Sequence, residues 1–297
     1  MRPLHKKDVA EDTEHKNGTI RPVSSDLTFA VVPSTRSTES VEPLLAQLAS
    51  FLSRELGTPV RGITTPSYSD LVADFERDRI HFAWMSPLQL VLAQERISLR
   101  ALATSMRSDR LEYCGVLFTE SSNARRTLRE LEGAKVAWVD PTSASGYLYP
   151  RLHLAARGID PDEFFADELF CHSHREVVNA VFSGKVEVGA TFAARPPSGA
   201  PVTRAGFCDV DPAAEAHIVE WTATIPNDLM VAHGLLSALL HTSFEQALFR
   251  LSESDDGRAL LSGLFGAEKL VVPDPRPLGM LRQLVQQARE NGLLLQL

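Results

Sequence analysis

Cysteine is scarce in this chain: Cys114, Cys171 and Cys208 stand at spacings that fit no metal site, and their odd number leaves at least one thiol unpaired. They read as small apolar residues. Basic runs are as scarce. Nothing beyond Arg125-Arg126 clusters positive charge, and 30 Lys+Arg against 38 Asp+Glu give a net charge of −8, which argues against a nucleic-acid partner held by phosphate neutralisation. Any anion the protein binds must be captured locally. No apolar run approaches the length that spans a bilayer, and the opening MRPLHKKDVAEDTEHKNGTIRPVSSD lacks the apolar centre of a signal peptide. That stretch reads as a charged, disordered tail up to about residue 26. As written, the chain is expected in the cytoplasm, or in the periplasm if its start is atypical. No internal repeat stands out.

What is present is a large apolar fraction, 44% of 297 residues, enough for a sizeable core divided between two lobes. LTFAVVP (27–33), TPVRGIT (58–64) and HFAWMSP (81–87) read as strands. Between them lie a helix with the stripe Val41, Leu44, Leu45, Leu48, Phe51 and Leu52, and a second with Leu71, Val72 and Phe75 facing inward. Strands alternating with helices indicate a parallel sheet. A helix over 87–95 and the strands LRALATSM and EYCGVLFTE follow. The alternation then restarts.

The stretch DPTSASGYLYPRLHLAARGIDPDEFF (140–165) places Thr142, Ser143 and Ser145 around a glycine just ahead of an amphipathic run, and VAWVD (136–140) before it reads as a buried strand. Leu148, Leu152, Ala155 and Ala156 repeat at helical spacing, and Gly158 sits where a left-handed C-terminal residue is wanted. Ser145 or Gly146 is then the expected N-cap, with Pro150 tolerated close to the first turn. Unpaired N–H groups and the positive end of a helix dipole make such a turn a place for an anion, which would also meet the hydroxyls. Capping alone is the simpler reading of the same residues.

Further along, Asp160-Pro161-Asp162-Glu163 and Ser173-His174-Arg175-Glu176 both carry helix-start patterns, the second placing His174 in a first turn. VEVGATF reads as a strand, Ala194 to Gly206 as a Pro- and Gly-rich loop, and Ile218 to Ala232 as a strand pair or return strand before C-terminal helices.

From Leu27 to about Glu268 the chain resembles the phosphate, phosphite and phosphonate substrate-binding proteins of ABC transporters. The resemblance is carried by SYSDLV, HFAWMSP, EYCGVLF, SASGYLYPRLHLAARGIDPDEFF, HSHREVVNAVFSGKVEVGAT and IPND, in that order and spacing. It implies an α/β, two-lobed type II periplasmic-binding-protein fold with two hinge crossovers. The lobes would be residues 27–117 plus 223–297 and residues 118–222, with strands crossing the hinge at Tyr113 to Thr119 and Glu220 to Asp228. By the same resemblance, Ser143, Ala144, Ser145 and Gly146 hold a small phosphorus oxyanion, His174, Tyr68 and Tyr113 reach it from facing sides, and Asp228 completes the site. It also implies a monomer that delivers its ligand to an ABC permease, without a cofactor.

Three features depart from the family pattern. Ala144 stands where many members have a third hydroxyl. Phe192, Ala193, Ala194 and Arg195 stand where aminophosphonate binders present a glutamate. The family is also exported. Ser86 offers a hydroxyl to the cleft or caps the helix that starts at Pro87. Trp84, Trp138 and Trp221 read as core residues. His172 and His174, without a Cys, Asp or Glu at ligand spacing, make a poor metal site. No nucleophile is paired with a base, so binding without chemistry is expected rather than catalysis. An intracellular ligand sensor and an enzyme on the same scaffold are the alternatives, since fold alone does not set function.

Overall fold

The computed structural model describes residues 26–32, 41–107, 109–141, 143–210 and 215–292. Its strands are β1 (Leu27–Val31), β2 (Val60–Thr64), β3 (Phe82–Met85), β4 (Leu99–Met106), β5 (Glu112–Glu120), β6 (Lys135–Trp138), β7 (Asp167–Phe170), β8 (Val188–Ala193), β9 (Ala216–Pro226), β10 (Leu229–His233) and β11 (Lys269–Val271). The helices are α1 (Glu42–Leu56), α2 (Tyr68–Glu76), α3 (Pro87–Ala93), α4 (Tyr149–Ala156), α5 (Pro161–Phe164), α6 (His174–Phe182), α7 (Gly206–Val210), α8 (Ala238–Leu251), α9 (Asp255–Phe265) and α10 (Pro275–Glu290).

Local sequence explains most starts. Ser67, Ser86, Ser173, Ser237 and Ser254 each accept a backbone N–H as N-cap of α2, α3, α6, α8 and α9. Gly158 and Gly184 follow α4 and α6 with φ of 75° and 71°, a conformation that costs glycine little. The tail over residues 1–25 and the stretch 33–40 lie outside the described residues, as does Thr142.

The strands form two sheets, a six-stranded one ordered β11-β4-β10-β3-β1-β2 and a five-stranded one ordered β7-β6-β8-β5-β9. Each sheet is mixed rather than purely parallel. β1 runs parallel to β2 and β3, whereas β10 is antiparallel to β3 and β4. β6 runs parallel to β7 and β8, whereas β5 is antiparallel to β8 and β9. Helices α1, α8 and α9 cover the first sheet through Leu45, Leu48, Phe244, Leu248 and Leu261. On the second, α6 covers one face through Val177, Val178 and Val181. A further buried cluster takes in Leu71 and Phe75 of α2, Tyr149 and Leu152 of α4, and Leu281 and Val285 of α10, so the core runs from one lobe into the other. Among the described residues no helix is long and apolar enough to cross a membrane.

The chain changes sheet twice, between Met106 and Glu112 and between Pro226 and Leu229. The boundaries expected at 117/118 and 222/223 instead cut β5 and β9, which pair with each other from Glu112↔Pro226 onward and stay whole within the five-stranded sheet. The crossings are therefore short. They are also joined side by side: Asn227, 4% exposed, donates through Nδ2 to the carbonyls of Ser105 (3.0 Å) and Arg110 (2.9 Å), and its own N–H donates to Leu111 O at 2.9 Å.

Candidate functional site

The pairings place chemically active residues at one edge of each sheet, and the crossings bring those edges together. β1, β2 and β3 end at the edge where Tyr68 and Ser86 open α2 and α3, and Met85↔Leu229 pairing puts Asp228 beside Ser86 there. β6, β7 and β8 end at the edge that carries residues 143–146, His174 and Phe192, with Tyr113 alongside on β5. The space beyond the carboxyl ends of parallel strands is where open α/β sheets take their ligands.

The turn after β6 differs from the expected helix start. Ser143, rather than Ser145 or Gly146, is the cap, its Oγ accepting the Gly146 N–H at 3.3 Å. Pro150 accounts for the shape. In an α-helix the residue at 150 would donate to the Gly146 carbonyl, but proline has no N–H. The chain winds wider over Ala144–Leu148: Leu148 N–H donates to Ser143 O, five residues back, at 2.9 Å, and the Gly146 carbonyl takes the Val139 N–H at 3.1 Å. Close packing holds the turn down. A Cβ on Gly146 would lie 2.3 Å from Val139 Cγ2, and one on Gly115 of β5 would lie 3.0 Å from the Ser145 carbonyl. Ser143 and Ser145 are buried, and the opening N–H groups of such a turn have no partner within it. The arrangement offers backbone and hydroxyl donors to an anion at the positive end of a helix.

His174 stands one strand away. Its Nδ1 lies 2.9 Å from Thr191 Oγ1, and its ring meets Phe192 edge-on at 5.1 Å between centroids, so the imidazole is held on two sides. Phe192 pairs with Gly115, against which the Ser145 carbonyl packs, which links the histidine to the serine turn.

The first-sheet side is phenolic and carries a carboxylate. Tyr68 is pushed up to about 12, first by burial and then by the charge of Asp228, so it is a proton donor across the physiological range. Asp228 is not a lone acceptor: Arg107, at the end of β4, donates through Nη2 to Asp228 Oδ2 at 2.8 Å and to the Phe265 carbonyl at 2.8 Å. Ser86 caps α3 by accepting the Gln89 N–H at 3.3 Å, which leaves its own hydroxyl proton for donation. Tyr113 and Ala144 pack against the buried cluster that also contains Tyr149. Trp138 is fully buried, as a core residue should be, while Trp84 stacks on Phe265 and Trp221 lies under the Arg195 guanidinium. Sequence reasoning missed Arg107, Asn227 and Tyr149. The first two act across more than a hundred residues and leave no local pattern, whereas Tyr149 lies inside the quoted motif. Among the described residues no group of three or more His, Cys, Asp or Glu is placed to hold a metal ion.

Comparison with known proteins agrees with this architecture. The phosphate-import protein PhnD of Mycolicibacterium smegmatis is 23% identical over 180 residues, 56% of this chain and 54% of that protein, so the match spans about half of the relative's length. Among solved structures, XAC2383 from Xanthomonas citri bound to ATP has a TM-score of 0.69 at 21% identity, covering 90% of this chain and 99% of that one. PhnD1 from Prochlorococcus marinus in complex with methylphosphonate has a TM-score of 0.61 at 16% identity, covering 91% and 99%. These likenesses show a shared type II periplasmic-binding-protein fold. Residues 29–276 match the family described as the phosphonate periplasmic substrate-binding proteins of ABC transporters, and the chain belongs to that family.

Proposed function

We propose that this protein binds a small phosphorus oxyanion, a phosphonate, phosphite or phosphate, between its two lobes and hands it to an ABC permease without chemical change. The observation that supports the reading is the buried turn Ser143–Gly146, a wound helix start with two serines, whose Ala144 packs against the same buried cluster as Tyr68 and Tyr113, with Asp228 acting on Tyr68. Phosphorus is favoured over other small anions by the carboxylate. A P–OH group can give a proton to the Asp228 oxygen not engaged by Arg107, whereas a fully ionised anion meets only repulsion there. Phe192 in place of an acidic side chain disfavours ligands that carry an ammonium. The periplasm is the compartment named for the family. The cytoplasmic expectation rested on a stretch that lies almost wholly outside the described residues.

A thermal-shift panel of phosphate, phosphite, methylphosphonate, aminoethylphosphonate, sulfate and ATP tests the reading. A ligand present at 100 times its dissociation constant stabilises by about 2.7 kcal/mol. The expected order places the first three well above aminoethylphosphonate and sulfate. ATP is included because the Xanthomonas neighbour holds it. A shift with ATP alone would replace the small-anion reading, and no shift with any of the six would overturn it.

A further inference from the structure

The chain has four tyrosines, and two of them, Tyr68 and Tyr113, were expected beside Asp228. A third is there as well. Tyr149 is the first residue of α4, and a helical side chain leans back over the turn N-terminal to its own Cα, which here is the serine turn. It is 1% exposed, in the buried cluster with Ile225 and Leu229, against which Tyr68, Tyr113 and Ala144 pack. Its hydroxyl has no hydrogen-bond partner among the described residues. Packing does not account for that oxygen. A phenylalanine would fill the same space without a desolvated, unpaired polar group. Burial first, then Tyr113 and Asp228, hold the phenol proton well above the usual tyrosine range, so the group is a donor at neutral pH.

We propose that Tyr149 is a ligand-contact residue: its hydroxyl donates to an oxygen of the bound phosphorus anion on the side next to Asp228. The inference rests on the phosphorus-oxyanion reading above and adds a named contact to it. Asp228 accepts from a protonated oxygen and Tyr149 gives to an unprotonated one, so the pair reads a singly protonated anion through two neighbouring oxygens. Tyr147, two residues earlier, is the internal control, because its ring is engaged by Trp138 and Phe170 and lies under the Arg151 guanidinium.

Titration calorimetry with inorganic phosphate and methylphosphonate on wild type, Tyr149→Phe and Tyr147→Phe tests this. The expected result is a loss of about tenfold to a hundredfold in affinity for Tyr149→Phe, with a ligand-free melting temperature equal to or above that of wild type. Tyr147→Phe should bind as wild type does. An affinity of Tyr149→Phe within twofold of wild type overturns the inference and leaves the proposed function standing, whereas wild type that binds neither of these anions nor phosphite overturns both. A second measurement needs no folded variant at position 149. In wild-type protein carrying 3-fluorotyrosine, assigned with Tyr68→Phe, Tyr113→Phe and Tyr147→Phe, the fluorine resonance of Tyr149 should move on adding phosphate, and a resonance that stays put counts against the contact.

Discussion

The two facing edges carry different chemistry. The second-sheet edge is made of donors fixed by main-chain geometry: a wound turn, two buried serines and a histidine held by Thr191 and Phe192. The first-sheet edge is made of side chains whose protonation state matters, a phenol pushed up to about 12 and a carboxylate tied to Arg107. Donors that any anion can use supply affinity, whereas an acceptor that only a protonated anion can satisfy supplies choice. On the proposed reading, the difference would make affinity and selectivity separable, lobe by lobe.

The most direct attack on that division is the double change Ser143→Ala with Ser145→Ala. Hydrogen bonds to a charged group contribute roughly 1.5–3 kcal/mol each, so affinity for every anion should fall on the order of a hundredfold or more, with selectivity unchanged. Loss of the Ser143 cap should cost about 1 kcal/mol of stability. Calorimetry that finds wild-type affinity would reduce both hydroxyls to caps. Asp228→Asn should act the other way round. The amide oxygen can face Arg107 while its N–H groups face the ligand, so affinity for phosphorus anions should drop by about tenfold and sulfate, which has no proton to give, should gain. Competition at fixed ionic strength decides it, and an unchanged preference would return Asp228 to a turn residue.

A change between the edges sharpens the comparison further. Asn227→Ala removes the side-chain donor to the Ser105 carbonyl and one of two donors to the Arg110 carbonyl, which keeps the Arg107 N–H; this should cost about 1–3 kcal/mol of stability and weaken binding of all anions alike, measured by denaturant unfolding beside calorimetry. The smallest effect belongs to the far end of the first sheet. His81 Nδ1 accepts the Thr28 N–H at 3.0 Å, and its pKa is lowered, first by burial and then by His233, with Asp78 acting in the opposite direction. A depressed histidine contributes stability that is present above about 6.5 and is lost as pH falls through the lower folded value. Melting temperature should therefore decline between about pH 7 and 5, and His81→Gln should flatten that decline. Affinity for phosphate, corrected for its own ionisation, should not follow His81.

Much of this was legible in the sequence because the signals were local. Capping serines, Gly158 and the buried β6 stretch each act on neighbours a few residues away. The missed elements lacked such signals: β7, Asp-Glu-Leu-Phe, has only exposed or half-exposed residues, β11 has three residues of which only Leu270 is buried, and both are short edge strands. Pairing partners were illegible for a different reason. The nine residues of β5 say that the strand is buried, not which sheet buries it, so the lobe boundary was drawn through a strand that its antiparallel neighbours keep whole. At the site, the serine turn and His174 stood out as patterns, but the Arg107–Asp228 pair joins positions 121 residues apart and only folding brings it together. Tyr149 stands unmarked within the serine-turn motif, since nothing in a sequence marks a hydroxyl that will be buried without a partner.

The joined crossings have a consequence for what any partner can learn from this protein. Because Asn227 clasps Ser105 on one crossing strand and Arg110 on the other side of the same passage, the two crossings behave as one flat leaf. Such a leaf bends readily in one direction, while twisting or shearing it breaks bonds. On the proposed reading, opening and closing would then follow a single angle. A partner that measures the spacing of the two outer faces reads one number, which reports whether the cleft is occupied and says nothing of what occupies it. All discrimination among ligands has to be completed inside the cleft before that number changes.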